Sequence, residues 1–163
     1  MSVKVEYNLR AQAVETLALN IDSPNPNVTH EISGDSGTLD ANSTVPATKA
    51  WKDDRQLSSG TDTFDLTALS RGNLNDEDFT GLKVQIIKIK AKSTNTAVTT
   101  FKAGTTNGYN LFGNADGEIT LDAGAVALFQ MNDKLADVGA SAKNIDISST
   151  DVDAQYEILL VAG

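Results

Sequence analysis

From Val3 onward the chain alternates between apolar and polar positions. Odd positions read Val3, Val5, Tyr7, Leu9, Ala11, Ala13, Glu15, Leu17, Leu19 and Ile21, while the even ones are mostly polar, from Lys4, Glu6 and Asn8 to Asn20 and Asp22. Successive side chains of a strand point to opposite faces, so this parity gives an extended segment one apolar and one wet face; on a helix the same residues would not gather on one stripe. Held over about nineteen residues, the alternation predicts a very long N-terminal strand, or two collinear strands in one register. Residues 1–30 therefore read as an extended strand or arm. Pro24 and Pro26 end the run, because proline cannot donate to a ladder.

The second strong segment is 82–92, whose apolar parity is even through Ile86 and odd from Ile87. Such a slip predicts a one-residue β-bulge, or a strand passing from one sheet to its partner. Residues 96–103 read as its hairpin partner across Ser93-Thr94-Asn95, and further short strands are expected at 28–32, 119–121, 125–131, 145–147 and 156–161. Asn107-Gly108 reads as a type I′ turn and Asp116-Gly117 as a hairpin turn, while 34–43 and 58–63, rich in Gly, Ser, Thr and Asp, read as polar loops. Short strands with turn signals at this spacing predict an all-β chain, an antiparallel β-sandwich, forming a single domain over residues 1–163.

Charge and composition narrow the function. The chain carries 13 Lys+Arg against 22 Asp+Glu, a formal charge of -9, which opposes a grip on nucleic acid or an anionic bilayer; neither is expected as a partner. It contains no cysteine and one histidine, so thiolate catalysis, Cys-ligated metals and a Ser-His-Asp triad are short of parts. No apolar stretch is long enough to span a bilayer, and with no leader-like segment, synthesis in a cytoplasm is expected. Asp53-Asp54 and Asp76-Glu77-Asp78 are the carboxylates that general acid–base work or calcium would call on, and 114–118 resembles half an EF-hand loop without its first acid or its final glutamate. The glycine-rich segment 104–109 has neither the Lys-Ser/Thr ending nor the following helix of a phosphate loop. The reading is accordingly a non-enzyme, with no catalytic, cofactor or metal site. Trp51 and Tyr109 could stack on a sugar or a base, the alternative being packing or a subunit contact for Trp51 and, for Tyr109 with Leu111 and Phe112, an anchor of the loop to the core; with His30 on polar parity and Tyr7 they are the candidate partner contacts. Lys83, Lys88, Lys90 and Lys92 read as solubilising charges on a wet face or edge.

Several segments carry a resemblance. Asp65-Leu66-Thr67-Ala68-Leu69, Asp78-Phe79-Thr80-Gly81-Leu82-Lys83-Val84-Gln85, Asn107-Gly108-Tyr109-Asn110-Leu111-Phe112-Gly113, Ile119-Thr120-Leu121-Asp122-Ala123-Gly124 and Tyr156-Glu157-Ile158-Leu159-Leu160 together resemble small proteins encoded by tailed bacteriophages near their head genes. The resemblance spans residues 65–160 and rests on strand-and-turn motifs. It implies a virion structural component of β-sandwich or jelly-roll-like fold: a capsid decoration, or cement, protein that sits as a homotrimer on the outside of the head against the major capsid protein. The alternative is a tail or fibre part, or a host-glycan-binding module.

Overall fold

Every regular element among the described residues is a β-strand; the computed structural model describes residues 3–9, 11–16, 27–32, 36–71, 74–114, 116–131 and 134–163. In chain order the strands are β1 (Lys4–Asn8), β2 (Ala11–Thr16), β3 (Asn27–Ile32), β4 (Ser36–Asp40), β5 (Lys49–Gln56), β6 (Thr61–Asp65) and β7 (Leu69–Arg71). They continue with β8 (Leu74–Glu77), β9 (Val84–Ala91), β10 (Thr99–Ala103), β11 (Glu118–Leu121), β12 (Val126–Gln130), β13 (Asn144–Ser148) and β14 (Gln155–Ala162).

Two antiparallel four-stranded sheets, β12-β9-β14-β5 and β11-β10-β13-β6, pack as a sandwich. Between them lie Phe64, Phe101, Tyr156, Ile87, Ile89, Ile145, Ile147, Ile158 and Leu160 in one buried cluster, with the Phe101 and Tyr156 rings edge to face at 5.3 Å. The Tyr156 hydroxyl donates to Asp62 at 2.6 Å, and the Arg55 guanidinium grips the same carboxylate through two nitrogens at 2.7 and 3.1 Å. This charge-assisted pair ties edge strand β5 of one sheet to edge strand β6 of the other. The β7–β8 hairpin flanks β5, where Trp51 Nε1 donates to Ser70 O and Arg71 to Ala50 O, both at 2.7 Å.

The parity slip in 82–92 is a bulge. Val161 pairs with Ile86 but Ala162 with Val84, so Gln85 is the extra residue, and the strand stays in one sheet throughout. Val84 and Ile87 thus both face the sandwich core, while Ile86 turns to the opposite face. The expected hairpin of 82–92 with 96–103 does not form. β9 pairs with β12 and β14, whereas β10 pairs with β11 and β13 in the other sheet. The crossing segment is pinned by Asn95, whose Nδ2 donates to Gln155 O and whose Oδ1 accepts from Gln155 N, both at 2.9 Å, so a side chain completes the ladder that the backbone leaves.

Polar stretches conceal strands. β4 lies inside the segment read as the loop 34–43, and β6 starts within 58–63. Asp116-Gly117 closes a turn onto Asn114 O, but at the end of a long β10–β11 connection rather than in a two-residue hairpin. Asn107 takes positive φ (49°) while Gly108 does not, so the type I′ turn is absent; Gly108 is required instead because a Cβ there would overlap Gly104 O.

Of the two readings of the N-terminal alternation, the described residues take the second, two strands, but not in one register. β1 pairs with β4 and β2 with β3, and between Asn8↔Ser36 and Ala11↔Ile32 one arm advances three residues while the other retreats four. The two ladders therefore differ in register by one residue. Leu17, Leu19, Ile21, Pro24 and Pro26 lie outside the described residues.

Because Phe101 is wholly buried against the Tyr156 ring, Phe101→Ala is expected to cost about 3–5 kcal/mol. Urea unfolding checks this, and a cost below about 1 kcal/mol would contradict the packing described.

Candidate interaction surface

At one end of β9 and β14 the outer face carries Ile86 and Val161, so that part of the sheet turned away from the sandwich core needs a cover. The base of the N-terminal hairpin supplies part of it: Val3, Val5, Tyr7, Leu39 and Ala47 pack on Ala50, Ile86, Leu128 and Val161. Tyr7 is half-buried, and its ring lies across its pairing partner Gly37, where a Cβ would come within 2.9 Å of the hydroxyl. The ring thus occupies the space that any larger residue at 37 would need. Glu6, Tyr7, Asn8, Ser36, Gly37 and Thr38 together line a shallow groove of about 400 Å³.

Beyond this cover the same sheet face turns cationic. Leu159 pairs with Lys52 on one side and Lys88 on the other, and Glu157 with Asp54 and Lys90 in the next row. Lys52, Lys88, Lys90, Glu157, Ile158 and Leu159 line a groove of about 260 Å³. Lys92 Nζ donates to Glu157 at 2.6 Å and to Asp54 at 2.9 Å, and Lys90 approaches Glu157 at 3.6 Å. The hydrogen bond from Lys92 holds the Glu157 carboxyl below its ordinary range, and the same bond raises the Lys92 ammonium. Lys52 and Lys88 are exposed and have no carboxylate within ion-pair distance among the described residues. Three of the four lysines singled out in the sequence, Lys88, Lys90 and Lys92, share this face, whereas Lys83 pairs with Asp137 on its own.

The β2–β3 ladder continues the hairpin past its base, with exposed described residues on both faces. Ala11, Gln12, Ala13 and Val14 are all exposed whatever their parity, as is Thr29 opposite Val14, and Val14 keeps 59 % of its surface.

Of the aromatic candidates for partner contact, Trp51 and Tyr109 take the packing alternative. Trp51 is 2 % and Tyr109 0 % exposed, so neither ring can stack on a ligand. Trp51 is enclosed by Phe64 and the β7–β8 hairpin, and Tyr109 is held by accepting from Val84 N at 3.1 Å and donating to Ala136 O at 2.8 Å. Burial raises the Tyr109 phenol above its ordinary range. The His30 side chain lies outside the described residues.

The acidic candidates are spread apart. Asp53 and Asp54 face Arg55 and Lys92 respectively, Glu77 on β8 pairs with Arg71 and Lys49, and Asp78 accepts from the Thr80 amide and hydroxyl. Among the described residues no group of three or more His, Cys, Asp or Glu is placed to hold a metal ion. Asp146, which the sequence did not single out, accepts from Thr63 Oγ1 at 2.7 Å, Thr105 N at 2.8 Å and Thr105 Oγ1 at 2.9 Å, fastening the glycine-rich loop to β13. Burial pushes this carboxyl up, but the hydrogen bonds outweigh it and the net shift is downward. Asp65 behaves alike, burial being overcome by Lys143 and Thr67. Comparison with protein families, curated proteins and solved structures gave no match.

Carboxyls lowered in the folded state stabilise it above their unfolded pKa, and that stability is lost as pH falls through the folded value. Thermal midpoints are therefore expected to decline as pH drops below about 4, and Asp146→Asn to flatten that decline while lowering the midpoint at pH 7. Calorimetry across pH checks both, and an unchanged slope in the variant would exclude Asp146 as a contributor.

Proposed function

We propose that this chain is a structural protein of a tailed-phage virion, a capsid decoration protein that seats on the outer surface of the head against the major capsid protein. It works by contact rather than by catalysis, and is added as a homotrimer to heads made in the host cytoplasm. The observation that carries the reading is the β2–β3 ladder, a two-stranded ribbon whose described side chains, Ala11, Gln12, Ala13, Val14 and Thr29, are exposed on both of its faces. A ribbon of that kind is marginal in water by itself and gains its order from a surface it lies against. The net charge of -9 supports the outer surface, since the interior is lined with DNA of the same sign.

The strand order supports the finer fold assignment. Numbering the sandwich strands from β5 and leaving out β7 and β8, one sheet runs sixth, third, eighth, first and the other fifth, fourth, seventh, second. That is the order of an eight-stranded double Greek key, so we assign the jelly-roll type. The glycan-binding alternative rested on Trp51 and Tyr109 as surface rings and loses its support with their burial.

The test is cosedimentation with purified heads of the phage or prophage whose genome carries the chain. The chain should pellet with intact heads and raise the temperature at which they release DNA. A chain that stays in the supernatant at all salt concentrations would overturn the reading.

A further inference from the structure

We propose that the β2–β3 ribbon of one copy docks across the lysine-walled groove on the β9–β14–β5 face of a second copy. This deepens the self-association in the reading above by naming the two surfaces that meet.

The two surfaces complement each other in charge and in apolar contact. The groove has Leu159 as an apolar centre between Lys52 and Lys88, whose Cα atoms are two inter-strand steps, roughly 10 Å, apart. Val126, at the start of edge strand β12 and opposite Lys90, adds an apolar spot that is 52 % exposed. Two cations outside any ion pair among the described residues therefore flank the half-buried Leu159, with Glu157 in the next row, on a chain whose overall charge is negative.

The ribbon has the opposite character. Strands β2 and β3 carry Glu15 and Glu31 in sequence and no Lys or Arg. Val14 pairs with Thr29 and Gln12 with Glu31, so the register puts positions 12, 14, 29 and 31 on one face. That face combines an acidic position with Val14, the most exposed large apolar side chain among the described residues.

Within one chain the two surfaces leave each other unsatisfied, because Val14, Lys52 and Lys88 remain exposed. A second copy satisfies both at once, and reciprocal or cyclic exchange of ribbons closes the assembly without leaving a free copy of either surface. The hairpin base already covers the neighbouring half of the sheet face, so a docked ribbon extends a cover that the chain itself begins.

The chain contains no cysteine, so two single variants, Val14→Cys and Leu159→Cys, bring in the only thiols. Mixed and oxidised in the absence of phage heads, they are expected to form a disulfide between one chain of each kind in preference to like pairs. Sedimentation of the parent should give an oligomer that weakens with salt, and Lys52→Glu/Lys88→Glu should weaken association at least about tenfold, through like-charge contact with the ribbon. Adding Glu31→Lys to that double variant should restore it. Lys52 and Lys88 are exposed and outside any ion pair among the described residues, so the double variant is expected to fold, which its cooperative thermal unfolding checks. A monomeric parent overturns the proposal, as does an oligomer that ignores the double charge reversal and yields no mixed disulfide. Either result stands apart from head binding, which is measured separately.

Discussion

The double burial of β9 and β14 is the constraint around which the molecule is arranged. One face of these strands, through Ile87, Ile89, Tyr156, Ile158 and Leu160, fills the sandwich core. The other carries Ile86 and Val161, both almost fully buried, which would face water if the sandwich stood alone. The N-terminal hairpin base answers that demand, and the result is three layers in which the middle sheet is shielded on both sides over part of its area. Gln85 is where the two demands are reconciled. As the extra residue of the bulge it lets Val84 and Ile87 look inward while Ile86 looks out, and its side-chain amide donates to Pro46 O at 2.6 Å, binding the segment before β5 to the same point.

Exposure follows from where this cover stops. Over Ile86 and Val161 the middle sheet is apolar and dry, whereas over Leu159 and Glu157 its rows turn to lysine and carboxylate. The change falls between one residue row and the next along the same strands, so a surface for contact and a surface for packing are continuous. A rigid floor beneath such a surface keeps its charges at fixed spacing, which favours recognition of a partner of matched pattern over a diffuse charge attraction.

Legibility in the sequence followed side-chain type. Runs of β-branched and large apolar residues at 82–92, 119–121, 145–147 and 156–161 marked their strands, and the slip at Ile86-Ile87 marked the bulge, because buried positions leave a periodic record. Strand β5 reads Lys-Ala-Trp-Lys-Asp-Asp-Arg-Gln and leaves no such record; it is a strand because all eight residues pair with β14. Sheet membership of β10 was equally hidden, since proximity in sequence suggested a hairpin and only the tertiary lock at Asn95 sends the chain across. Trp51 and Tyr109 stand in polar stretches, where a ring could serve a partner or the core, and only the packing around them decides for the core. The lysine groove had a partial signal in Lys88 and Lys90, but Lys52 and Leu159 join it only through ladder pairing between distant segments.

The position of β14 between β9 and β5 has a consequence for the order of assembly. It follows in the chain every strand that it joins, and it supplies residues to both faces of the middle sheet. During translation β5 and β9 emerge with no common neighbour, so their apolar residues wait until residues 155–162 have cleared the ribosome. Closing the sheet then requires contacts across nearly the whole length from β5 to β14, the long-range pairing that makes β topologies slow to fold. Until β14 enters the gap, β5 and β9 lack their shared neighbour, and the unpaired edges they present favour misassociation.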